Sequence, residues 1–177
     1  MMFSLIRSDL LAKTQWMYDG VSARTILKTL MTDGTCAMLL YRLMQASQRC
    51  GLTPFAMIFN KLNTCFGQCI IGRGASFGPG FVLIHSQGIV INTAVRGGCN
   101  IFLEHQVTIG AEKQHAPILG NNIFIGAGAK ILGAVHIGND AKIGANAVVT
   151  KDLPDGATAV GIPSKVVKLY GKPVETQ

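Results

Sequence analysis

From Ile71 onward a single arithmetic series organises the chain. Steps of six residues meet Ile71, Phe77, Leu83, Ile89, Val95, Ile101 and Val107, then Lys113, then Leu119, Ile125, Ile131, Ile137, Ile143 and Val149. Thirteen of these fourteen positions are apolar. Neither the helical period of 3.6 nor the two-residue alternation of a half-buried strand produces such a series. The residue four places further on is often small or apolar, as at Ala75, Cys99, Ala111, Ala129, Val135, Ala141 and Ala147. A six-residue repeat is the mark of a parallel β-helix. Each hexad supplies a short strand and a turn, and three hexads close one triangular coil. Stacked coils place inward side chains in columns about 4.8 Å apart. Each repeat is then stabilised mainly by its neighbours.

The break at Lys113 lies in Ala111 to Pro117, which brings charge and Pro where a strand belongs, so this stretch is expected to leave the coil as a loop. Loops thrown from a rigid scaffold are where function concentrates. Asp155 is read as the end of the repeat, with Val160 to Lys165 as a capping turn and a polar tail behind it.

The first sixty residues follow a helical period instead. Ser4 to Met17, Ala23 to Met31 and Thr35 to Arg49 read as helices, the last with an apolar stripe of Met38, Leu39, Tyr41, Leu43 and Met44. Gly51 and Pro54 interrupt the pattern before a short helix over Phe55 to Leu62. The stripe suits a core or an oligomer interface. Seven basic against three acidic residues up to Lys61 keep docking on a membrane surface as the alternative. The chain is therefore divided into an α-helical N-terminal region (1–64), a β-helix (65–168) and a polar C-terminal tail (169–177).

Composition narrows the function only loosely. A net charge of +7 suits an anionic cofactor, an acidic polymer or a membrane surface and selects none of them. The five cysteines are odd in number, and no second pair joins Cys65 and Cys69 into a zinc site, so free thiols in a reducing compartment are expected. Met1 to Leu11 carries Arg7 and Asp9 with no cleavage site behind it, and Cys36 to Tyr41 is too short to cross a bilayer. The expectation is a cytoplasmic protein with no metal and no nucleic-acid partner.

Three segments carry a family resemblance. Ile125-Gly-Ala-Gly-Ala-Lys-Ile-Leu-Gly133, Lys142-Ile-Gly-Ala-Asn-Ala-Val-Val149 and Val160-Gly-Ile-Pro163 closely resemble the serine acetyltransferases, a family of hexapeptide-repeat acyltransferases. The likeness covers about residues 65–168 and extends into the helices at Ile6-Arg7-Ser8-Asp9 and Tyr41-Arg42. It implies a mainly β protein, a left-handed parallel β-helix behind a small α-helical region, assembled as a homotrimer or a dimer of trimers. It also implies acetyl-CoA as co-substrate and a hydroxyl as acceptor.

The family places one histidine in an Asp-His pair and a second in Arg-His-Pro. Those positions correspond here to His85, within Leu83-Ile-His-Ser-Gln-Gly88, and His115, within Gln114-His-Ala-Pro117. Three supporting residues differ. Ile84 stands for the Asp, Gln114 for the Arg, and the carboxylate that orients the first histidine maps near Ile70. The Asp and Arg hold the ammonium and carboxylate of serine in the family, and charge-assisted contacts contribute roughly 1.5–3 kcal/mol each. Their loss points away from free serine. Ile84-His85, Ile89-Val-Ile-Asn92 and Val107-Thr-Ile-Gly110 are more similar to the acetyltransferases of exopolysaccharide and colanic-acid synthesis. That branch implies a sugar hydroxyl in a surface polysaccharide, and peripheral association with membrane-bound polysaccharide machinery. L-serine is the alternative acceptor. A non-catalytic trimeric scaffold and a β-helical carbonic anhydrase holding zinc through three histidines are the rival classes.

The chemistry assigns roles. A hydroxyl attacking a thioester needs a base, and a neutral imidazole serves at physiological pH. His85 is the candidate base, with His115 or a backbone N–H stabilising the oxyanion or positioning the acceptor. His105 beside Glu104 is either a third site residue, with Glu104 standing in for the missing acid, or a histidine packed at the coil edge. Gln114 is a candidate acceptor contact. His136 beside a turn is expected to be solvated. Ala127 and Ala145, eighteen residues apart, stack in one column that the pantetheine arm of the cofactor can follow, with Gly110 as a further contact. Lys130 and Lys165 are the candidates for its phosphates. Gly72 to Gly80 is repeat turn without a Walker lysine.

Overall fold

The structure is a computed structural model that describes residues 2–113 and 115–174. Four helices come first: α1 (Met2–Tyr18), α2 (Ala23–Leu30), α3 (Thr35–Arg49) and α4 (Thr53–Phe66). The last is longer than expected because Pro54 falls in its first turn, where the missing N–H costs nothing.

A parallel β-helix follows. Its first coil is β1 (Ile70–Ile71), β2 (Ser76–Phe77) and β3 (Phe81–Leu83). The second is β4 (Val90–Ile91), β5 (Arg96–Gly97) and β6 (Ile101–Leu103), and the third is β7 (Thr108–Gly110), β8 (Ile118–Leu119) and β9 (Ile123–Ile125). The fourth is β10 (Lys130–Leu132), β11 (His136–Ile137) and β12 (Lys142–Ile143), and β13 (Val148–Val149) with β14 (Ala157–Val160) makes a fifth. Three faces result, ordered β1-β4-β7-β10-β13, β2-β5-β8-β11 and β3-β6-β9-β12-β14. The coil thus continues past Asp155, since β14 still pairs in parallel with β12. The stretch from residue 169, expected as a polar tail, instead completes a hairpin. β15 (Lys165–Leu169) and β16 (Lys172–Pro173) fold back antiparallel on β14 and cover its open edge.

All thirteen apolar members of the six-residue series are buried. They do not, however, form one column. Ile71 pairs with Ile91 and Leu83 with Leu103, whereas Ile91 pairs with Ile109 and Gly97 with Leu119. Two extra residues therefore lie in the turn between β3 and β4, and four extra between β7 and β8. Ile89, Val95, Ile101 and Val107 occupy the neighbouring inward column. Two and four restore the period of six, which is why the arithmetic survives both insertions. Lys113 falls in the second one, the expected loop, where Glu112 and His115 exchange backbone hydrogen bonds across a tight turn.

Polar ladders hold the turns. Asn100 donates to Asn122, and Asn122 to Asp140, at 3.0 Å each. All three have positive φ, a conformation that Asn and Asp tolerate better than other side chains.

The first coil has no coil beneath it, so its backbone groups need other partners. The helices supply them. Tyr41 donates to the Ala75 carbonyl and accepts from the Phe77 N–H, both at 3.2 Å, and Asn60 donates to the Ile71 carbonyl at 2.7 Å. Arg42 donates to the carbonyls of Phe77 (2.9 Å) and Gly78 (2.6 Å). Asp9 accepts from the N–H groups of Gly80 (2.9 Å) and Phe81 (3.0 Å) and is bound by Arg42 through two further hydrogen bonds at 2.6 and 2.9 Å. Trp16 packs over Phe102 and Phe124, with ring centroids 4.9 and 5.4 Å away, so α1 also clasps the outside of the third face.

Asp9→Ala would leave a buried guanidinium and two backbone N–H groups without their acceptor. Breaking a buried pair in this way costs about 3–5 kcal/mol. Urea unfolding should show a lower midpoint with the slope unchanged.

Candidate functional site

The strand registers define one corner of the prism. Leu83, Leu103, Ile125, Ile143 and Ala159 are successive partners on the third face. Two residues beyond each, where the chain turns, stand His85, His105, Ala127, Ala145 and Gly161. The two histidines and the two alanines proposed for the cofactor therefore share one row, histidines at the helical end. The rings of His85 and His105 meet edge to face, with centroids 6.1 Å apart.

Each imidazole has a carboxylate on its Nδ1 side. Glu104 Oε2 lies 3.8 Å from His105 Nδ1, and Asp33 Oδ2 lies 3.4 Å from His85 Nδ1. Neither contact is a short hydrogen bond, but each places an acceptor on the Nδ1 side of its ring, with the Asp33 carboxylate the closer of the two. No sequence motif singles out Asp33. It comes from the turn between α2 and α3, more than fifty residues before His85 in the chain. Gly34 brings it there: at φ +76° a Cβ would lie only 2.3 Å from the Leu83 carbonyl oxygen, so only glycine lets the turn press against the end of β3. Lys13 donates from beneath to the Asp33 carbonyl. The signal available in the sequence was the turn-forming Thr32-Asp33-Gly34, one of three acidic positions in the helical region. Ile70, near which the family's orienting acid maps, is a half-exposed strand residue.

The remaining candidates are dispersed. His115 is exposed on the loop between β7 and β8, at a different corner from His85, and the two rings make no contact among the described residues. Gly110 ends β7 at that same second corner, beside an open groove of about 570 Å³ lined by Ala111, Glu112, Leu132, Gly133 and Val135. Gln114 lies outside the described residues. Lys130 donates to the Gln106 carbonyl at 2.6 Å, in the turn beside His105, and keeps two further N–H donors. Lys165 is exposed at the start of β15, opposite Val160 and next to the far end of the histidine–alanine row. His136 is exposed. All five cysteines are unpaired, and burial pushes the Cys69 thiol up to about 12. Among the described residues no cluster of three or more His, Cys, Asp or Glu is placed to hold a metal ion, and no helix is long and apolar enough to cross a membrane.

Residues 116–151 match the bacterial transferase hexapeptide (six repeats) family. The chain is 40% identical over 143 residues to a serine acetyltransferase of Helicobacter pylori, covering 78% of this chain and 83% of that protein. It superposes on soybean serine acetyltransferase complexed with serine with a TM-score of 0.85, at 30% identity, over 94% of this chain and 69% of that one. A serine acetyltransferase in complex with CoA gives the same TM-score at 28% identity, with the same coverage of 94% and 69%. The chain belongs to the serine acetyltransferase family and is an O-acetyltransferase of that type. The likeness to exopolysaccharide and colanic-acid enzymes has no counterpart in these relatives, which are named for serine.

Lys13, beneath Asp33, is fully buried, and desolvation holds its ammonium down to about 8 despite the opposing field of Asp33. Between about 8 and the ordinary 10.5, the unfolded chain holds a proton that the folded chain lacks, so stability rises with pH across that window. Urea midpoints measured from pH 7.5 to 9, below the range where the raised Cys69 thiol acts in the opposite sense, should show this rise, and Lys13→Met should abolish it.

Proposed function

We propose that the chain is an acetyl-CoA-dependent L-serine O-acetyltransferase in which His85 is the general base. The observation that carries this reading is the His85 imidazole, backed at Nδ1 by Asp33, at the head of a row that continues into Ala127 and Ala145. The relatives named for serine support the acceptor. The acceptor hydroxyl attacks the acetyl carbonyl while His85 Nε2 takes its proton. The tetrahedral intermediate then expels the coenzyme thiolate, and the His85 imidazolium returns the proton to sulfur. Asp33 is a positioning residue that fixes the tautomer and orientation of the ring. The small side chains of Ala127 and Ala145 let the pantetheine arm lie close to the coil. A homotrimer in the cytoplasm is part of the proposal, and the likeness to hexapeptide-repeat acetyltransferases supports the trimer.

A sugar hydroxyl is the second reading. The buried, uncharged Ile84 favours it, since no acid precedes His85 to meet an ammonium group.

The test is coenzyme A release from acetyl-CoA with L-serine, nucleotide-sugars and oligosaccharides offered in turn. His85→Ala should lower kcat/KM by about 10²–10⁴. Asp33→Asn should lower kcat by about tenfold, with the KM for acetyl-CoA unchanged. Turnover on a sugar and not on serine would transfer the acceptor to the second reading. Cofactor binding without turnover on any acceptor would favour a scaffold.

A further inference from the structure

We infer that Glu104 recognises the acceptor, its carboxylate receiving the α-ammonium of the amino acid whose hydroxyl faces His85. The inference rests on the amino-acid acceptor proposed above and adds the residue that selects it. Leu83 pairs with Leu103, and the Ile84 N–H donates to the Leu103 carbonyl at 2.9 Å. Residues 84 and 104 are therefore neighbours on successive coils, as are 85 and 105. The first coil presents Ile-His at this corner and the second presents Glu-His. The acid that Ile84 cannot provide stands one coil further along, on the side toward Ala127.

The environment of Glu104 is that of an anion awaiting a cation. Its side chain is 23% exposed, so it is partly withdrawn from water yet reachable. Among the described residues its carboxylate faces His105 through Oε2 at 3.8 Å, which leaves Oε1 to accept from a ligand. Lys130, in the turn beside His105, donates to the Gln106 carbonyl at 2.6 Å, and among the described residues no lysine or arginine forms an ion pair with Glu104. The other carboxylate of the site, Asp33, has a side chain 62% exposed and faces His85. An ammonium bound there would compete with the imidazole for it. A β-hydroxy-α-amino acid carries its hydroxyl and ammonium on adjacent carbons. It can span the step from the His85 ring to the second coil, where the ring centroids are 6.1 Å apart.

The decisive measurement is steady-state kinetics of Glu104→Gln and Glu104→Asp with L-serine. Glu104→Gln keeps the size and removes the charge, and should raise the KM for L-serine by about ten- to hundredfold, the loss of one charge-assisted hydrogen bond. The KM for acetyl-CoA should not change, and Glu104→Asp should recover part of the loss. Inhibition by 3-hydroxypropanoate, which has the same skeleton without the ammonium, should be equally strong in wild type and Glu104→Gln. An unchanged KM for L-serine in Glu104→Gln, or a parallel rise in the KM for acetyl-CoA, would overturn the role of Glu104 while leaving the serine reading intact. A wild-type protein that does not acetylate L-serine would overturn the acceptor reading and this inference together.

Discussion

The buried pairing of Asp9 with Arg42 closes the end of the β-helix that has no coil below it. A coil elsewhere in the stack satisfies its backbone through its neighbours, but the first coil exposes one edge of every strand. Here the helical region substitutes for the absent coil, residue by residue: Tyr41, Arg42, Asn60 and Asp9 occupy the positions that carbonyls and N–H groups would hold. An ion pair so deeply buried stabilises little on its own. Its contribution lies in binding four backbone groups that would otherwise be orphaned, and so in fixing helices to coil. Everything that α1 and α3 carry is placed by that junction, including the turn that holds Asp33 against His85.

The scaffold was readable because its physics is periodic. Six-residue spacing reports inward burial directly, and Ala127 and Ala145 stack as their spacing required. The helices were legible for the same reason, with Thr35 to Arg49 falling where the apolar stripe put it. The column switch after Leu83 was hidden, because an apolar residue is equally at home in either inward column. The site was only half legible. His85, His105 and Glu104 lie on the coil, where register locates them. Asp33 reaches the site through tertiary packing around Gly34, and no local pattern encodes a contact between residues so far apart. Nor does periodicity reveal that His85 and His115 turn different corners, since a six-residue series does not say which face of the prism a loop leaves.

The charge at the histidine corner also depends on more than one element. Ile84 on its own suggests a site without charge complementarity for an amino acid. The folded corner is more acidic than that residue implies, because Glu104 joins it from the next coil and Asp33 from the helices. The likeness to serine acetyltransferases and the loss of their acid before the histidine are therefore compatible. A charge need not come from the same position to reach the same volume of space.

The corner row also works as a ruler. From His85 to Ala145 it climbs three coils, roughly 14 Å at about 4.8 Å per step. A linear arm laid along it has its reach set by the number of coils between the alanines and the imidazole, not by any side chain that grips it. Side chains at the rungs can drift without altering that distance, whereas gain or loss of a whole coil would change it by a full step. The scaffold thus sets the distance along this row as a whole number of coils, each worth about 4.8 Å.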